Sequence, residues 1–136
     1  MWPRGPVVKF CGLTRMEDLL VACELGAWAV GFVFAPSLRR VTPANVSAML
    51  AQLAQRQGDQ EQATPLAVGV FTDEPTPEIA RVVREAHLTA VQLHSPAAPA
   101  GAVRRLLGPE VLLIQALPVD PAQSEPSALA ERVEQV

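Results

Sequence analysis

The chain has 136 residues, 49% hydrophobic and 18% charged, and its 11 basic and 14 acidic residues leave a net charge of -3. That length and balance suit one α/β domain spanning residues 1–136. They offer no basic stripe, which argues against nucleic acid as a partner.

In chain order, the first signal is Val7-Val8-Lys9-Phe10-Cys11, a short apolar run ending on a cysteine. Gly12 follows, where the backbone can turn tightly. Thr14-Arg15-Met16-Glu17 has the pattern of a capping box. It predicts a helix from about Arg15 to Leu25, with Met16, Leu19, Leu20 and Cys23 on one face and Gly26 as its stop. Ala27–Phe34 is apolar without alternation, the pattern of a strand covered on both faces. Ala35–Arg40 reads as a loop carrying Arg39 and Arg40.

Thr42-Pro43 is a cap followed by proline at the first helical position. The helix it opens puts Val46, Met49, Leu50 and Leu53 inward, and polar residues from Gln55 to Thr64 form its end. Leu66–Phe71 reads as the third strand. Thr76-Pro77 repeats the cap-then-proline start, with Ile79, Val82, Val83 and Ala86 inward. Thr89–His94 is a short fourth strand. Ser95-Pro96 opens a helix with Val103, Leu106 and Leu107 inward, stopped by Gly108. Val111–Leu117 is a fifth strand. A last helical pattern after Ser124 spaces Leu129, Val133 and Val136.

Strict alternation with short connections implies parallel strands joined by right-handed crossovers. Two architectures satisfy it. One is an open doubly wound sheet of strand order 2-1-3-4-5. The other is five units of a (β/α)8 barrel, which needs eight. The sequence has no GxGxxG and no P-loop, which weakens the nucleotide-binding version of the first. In either architecture Cys11 stands at or just past the C-terminal end of the first strand, where such folds carry chemistry. It is a candidate nucleophile or base, although a lone cysteine on an apolar strand also suits core packing. Cys23, on the inner face of a helix pattern, reads as core. The two cysteines match neither a disulfide framework nor a zinc site. With no apolar h-region and no apolar run of about 18 residues, the sequence reads as that of a cytoplasmic protein without a membrane partner.

Five stretches together resemble the phosphoribosylanthranilate isomerase family. They are Val8–Thr14 (VKFCGLT), Gly31–Ser37 (GFVFAPS), Arg39–Pro43 (RRVTP), Val68–Phe71 (VGVF) and Ala90–His94 (AVQLH). The resemblance implies an incomplete TIM (β/α)8 barrel of about five units, with strands in the order 1-2-3-4-5. It implies an Amadori rearrangement of N-(5-phosphoribosyl)anthranilate, a small phosphorylated sugar-anthranilate, with no metal or organic cofactor. Cys11 stands where the family has its general base. Arg39 best matches the arginine that lies against the anthranilate, with Arg40 as the neighbour to compare. Gln92 and His94 carry over as substrate-binding residues at the barrel mouth.

A base must be ionised, and a free thiol titrates near about 8.5. Lys9, two residues earlier on the same strand, shares the face of Cys11 and offers a positive charge to favour the thiolate. The family's general acid on strand six and its glycine-rich phosphate loops after strands seven and eight have no match in this sequence. Ser95 and Gln115 depart from the family's usual glycine and lysine. The expected consequences are low activity of the chain alone and two open sheet edges available for self-association. The alternative reading is a non-catalytic half-barrel that serves as an interaction or assembly fragment.

Overall fold

Nine elements alternate along the chain in the computed structural model, which describes residues 3–58, 63–94 and 100–120. They are β1 (Lys9–Phe10), α1 (Met16–Glu24), β2 (Ala29–Val33), α2 (Pro43–Gln57), β3 (Leu66–Phe71), α3 (Thr76–Ala86), β4 (Ala90–Leu93), α4 (Ala100–Leu107) and β5 (Leu112–Gln115). The strands form one sheet in the order β1-β2-β3-β4-β5, and every neighbouring pair is parallel. This is the sequential order of a barrel wall. The doubly wound order 2-1-3-4-5 is excluded, because β2 pairs with β3 and leaves β1 at an edge of the described sheet.

Alternation along the strands separates two faces. Val30, Phe32, Ala67, Phe71, Val91 and Leu93 point to one side. There they share a core with Leu19 and Ala22 of α1, Val46 and Leu53 of α2, Ile79 and Val83 of α3, and Val103 of α4. All four described helices therefore cover the same face, as right-handed crossovers between sequential strands require. Phe34 and Phe71 stack at 5.4 Å between ring centres within this layer. The other face is lined by Ala29, Val68 and Ala90, with Leu66, Leu112 and Ile114 partly covered beside them. No described helix contributes to that second cluster.

The helix ends show where local chemistry decided and where it did not. Thr42 caps α2 as expected: its hydroxyl accepts the Asn45 N–H at 3.2 Å, with Pro43 next in the first helical position. The capping box at Thr14 is not formed. The cap position falls one residue later, on Arg15, whose side chain makes no cap and instead holds the Asp18 carboxylate at 2.9 and 3.0 Å. Thr76 is likewise already helical, and the carbonyl of Pro75 starts α3 by accepting from Glu78 and Ile79. At the end of α1, Gly26 has φ +74°, its N–H reaches Cys23 and that of Ala27 reaches Ala22, the pair of bonds that defines a Schellman stop. The end of α3 does the same with no glycine: His87 takes the left-handed position at φ 56°, and Leu88 N–H reaches back to Val83. The expected Ser95-Pro96 cap and the helix after Ser124 lie outside the described residues.

β1 is shorter than the apolar run predicts. Val7 and Val8 are exposed, because the described sheet gives this strand a neighbour on one side only. Among the described residues no helix is long and apolar enough to cross a membrane.

Candidate active site

The turn after β1 is anchored on β2. The carbonyl of Gly31 accepts both the Gly12 N–H at 2.9 Å and the Leu13 N–H at 3.0 Å. Gly12 makes this turn with φ +81°, a conformation other residues adopt only at a cost. The result fixes Cys11 beside Gly31, on the face away from the helices. A methyl group at Gly31 would lie 3.0 Å from Cys11 Sγ and 3.2 Å from Lys9 Cε. The missing side chain at Gly31 is thus what lets Cys11 and Lys9 lie together on β2. Cys11 itself is exposed. The core-packing alternative for this cysteine does not hold.

Lys9 continues across the sheet. Its Nζ donates to Gln92 Oε1 at 2.7 Å, and Gln92 Nε2 lies 2.7 Å from His94 Nε2. Lys9 is on β1 and Gln92 on β4. On a flat sheet, side chains three strands apart would stand parallel at roughly 14 Å. Here they meet, so the face carrying Cys11 is concave. His94, just past the end of β4, is tied to the sheet through its N–H, which donates at 3.0 Å to the carbonyl of Phe71, the last residue of β3.

The two arginines of the β2–α2 loop part company. Ser37 Oγ accepts the Arg39 N–H at 3.1 Å, and its carbonyl accepts the Arg40 N–H at 3.2 Å, which fixes the turn. The Arg39 side chain lies over Gly12, where a methyl group would meet its Cδ at 2.9 Å and Nη1 at 3.1 Å. Arg40 instead lines a cleft of about 340 Å³ on the helix side, with Phe34, Phe71, Glu74, Glu78 and Val82. The structure therefore brings Lys9, Cys11, Arg39, Gln92 and His94 to one region and leaves Arg40 out.

Sequence reasoning gave Gly31 no role and noted Gln115 only as a departure from the family. Gly31 interrupts an otherwise apolar strand, the usual mark of close approach by another group. Gln115 lies with Leu113 and Arg104 on the α4 side of β5, and its amide donates to the Leu93 and Ala116 carbonyls at 3.2 Å. Ser95 lies outside the described residues. Cys23 is half-buried, and burial followed by the nearby Glu24 charge pushes its thiol up. Among the described residues no group of three or more His, Cys, Asp or Glu side chains could hold a metal.

Sequential parallel strands, one outer layer of helices and a polar cluster at the strands' C-terminal ends define part of a (β/α)8-barrel enzyme. The chain belongs to the N-(5'-phosphoribosyl)anthranilate (PRA) isomerase family, whose model matches residues 8–136. A curated N-(5'-phosphoribosyl)anthranilate isomerase from Symbiobacterium thermophilum is 47% identical over 92 residues, which is 68% of this chain and 38% of that protein. One from Bacillus cereus is 41% identical over 87 residues, 64% of this chain and 39% of that protein. The crystal structure of phosphoribosyl anthranilate isomerase from Thermus thermophilus superposes with a TM-score of 0.71 at 38% identity, covering 90% of this chain and 56% of that one. Another isomerase, solved with reduced 1-(o-carboxyphenylamino)-1-deoxyribulose 5-phosphate, superposes with a TM-score of 0.73 at 34% identity, covering 93% of this chain and 61% of that one. The chain therefore spans about two fifths of these curated relatives and about three fifths of these solved ones.

Proposed function

We propose that this chain supplies the base-bearing part of a phosphoribosylanthranilate isomerase of tryptophan biosynthesis. The observation that carries the reading is Cys11 Sγ, exposed on a concave sheet face and seated over Gly31. An acid opens the ribose ring of N-(5-phosphoribosyl)anthranilate to an iminium. Cys11 removes the proton from the adjacent carbon, and the resulting enolamine relaxes to the ketone, 1-(2-carboxyphenylamino)-1-deoxyribulose 5-phosphate. A base for this step must come within about 3 Å of the proton it takes.

Arg39 serves the anthranilate part. It lies over Gly12, next in sequence to Cys11, whereas Arg40 faces Glu74 and Glu78 on the far side of the sheet. Gln92 and His94 line the mouth opposite. The reaction is internal to the substrate and draws on no metal or organic cofactor. The family's acid and phosphate loops belong to units beyond the fifth, so the 136-residue chain alone turns over little. A cytoplasmic setting suits a biosynthetic enzyme of this kind.

Reconstitution tests the reading. The chain is mixed with a fragment carrying the remaining βα units of the Thermus thermophilus isomerase, and loss of N-(5-phosphoribosyl)anthranilate is followed. Turnover that needs both pieces supports the assignment. A well-formed complex without turnover favours the non-catalytic assembly fragment.

A further inference from the structure

We propose that Lys9 and Gln92 are positioning residues that fix His94 as a neutral hydrogen-bond donor at the mouth of the site. The inventory of donors and acceptors fixes the direction of each bond. An ammonium has three donors and no acceptor, so the Gln92 atom that meets Lys9 at 2.7 Å must be its oxygen. The other end of the amide is then the NH2 group, which only donates, and it lies 2.7 Å from His94 Nε2. Nε2 must present its lone pair to that donor. A neutral imidazole with a lone pair on Nε2 carries its proton on Nδ1.

The chain of bonds therefore runs one way, from Lys9 through Gln92 to His94. Nε2 is occupied and is not available as a base. The ring's remaining polar function is the Nδ1–H, on an exposed residue held at the end of β4 by its bond to Phe71. That donor suits an acceptor oxygen on a ligand, a carboxylate or a hydroxyl. The ligand part of this proposal rests on the isomerase reading above; the tautomer does not.

The test is nitrogen NMR of the His94 ring in the full 136-residue chain, at a pH where imidazole is neutral. The wild type should show a protonated Nδ1 and a lone-pair Nε2. In Gln92→Glu the carboxylate accepts from both sides: Lys9 keeps its partner, and His94 must donate through Nε2. The tautomer ratio should reverse by at least about tenfold, the weight of a charged hydrogen bond. Lys9→Met frees the amide to turn over and should populate both tautomers, while Lys9→Arg, another pure donor, should keep the wild-type ratio. A packing role alone would leave the ring signals unchanged across the series. A protonated Nε2 in the wild type overturns the proposal even if every variant fails to fold. An unchanged tautomer in folded Gln92→Glu also overturns it. Failure of the isomerase reading would appear separately, as a reconstituted complex without turnover in which the Nδ1–H tautomer is intact.

Discussion

Gly31 gives the site its shape by having no side chain. A methyl group there would press on Cys11 Sγ at 3.0 Å and on Lys9 Cε at 3.2 Å, so both must give way. Gly31→Ala should therefore cost more in catalysis than in folding. We expect at least a tenfold loss of turnover in the reconstituted complex against a stability loss of about 1–3 kcal/mol, the usual cost of slight overpacking. Kinetics and denaturant titration on the same preparations check the contrast. The cysteines should separate by reactivity. Cys11 is exposed, whereas burial raises the Cys23 thiol and keeps it protonated, and the thiolate is the reactive form. Brief treatment with iodoacetamide followed by peptide mapping should find Cys11 modified first. At the end of α3, His87 occupies a left-handed position that glycine adopts without strain. His87→Gly should raise stability by about 0.5–1 kcal/mol, read as a higher denaturation midpoint.

At the scale of elements, hydrophobic pattern and turn chemistry made most of the fold legible. The unbroken apolar run over Ala27–Phe34 marked a strand covered on both sides, and β2 is buried along nearly its whole length. The spacing of Val46, Met49 and Leu53 gave the buried face of α2. The local rules failed at two helix starts, because a capping pattern says which residues could cap and not where the chain enters the helix. Thr14 lost to a cap position on Arg15, and Thr76 to the Pro75 carbonyl. Of the site, Cys11 and its strand-end position were legible from the turn that follows. The separation of Arg39 from Arg40 was not, since adjacent loop residues look alike until the loop's path is known. Nor was the bond from Lys9 to Gln92, which depends on the curvature of four strands. Packing also sets a test at this scale. A methyl group at Gly69 of β3 would meet Leu88 at 2.5 Å and Phe71 at 2.8 Å, on the side covered by helices. Gly69→Ala should destabilise the chain by about 1–3 kcal/mol, with little effect on the Cys11 face.

For the whole molecule, the concave face is the central fact. The sheet's helix-covered side holds the large buried residues Phe32, Phe71, Leu19 and Ile79. Its other side has smaller buried residues, Ala29, Val68, Val70 and Ala90, with β5 half-covered along its length. β1 and β5 each have a single neighbour in the described sheet. Unpaired edges and an apolar face invite pairing. We expect the isolated chain to associate as its concentration rises, in sedimentation experiments, and the fragment with the remaining βα units to suppress that association. The measurement that bears most directly on the account is turnover of N-(5-phosphoribosyl)anthranilate by the reconstituted complex, wild type against Cys11→Ser. With Cys11 as the proposed base, its loss should lower turnover by about 10²–10⁴-fold with the complex still formed. Turnover within a few-fold of wild type would contradict it.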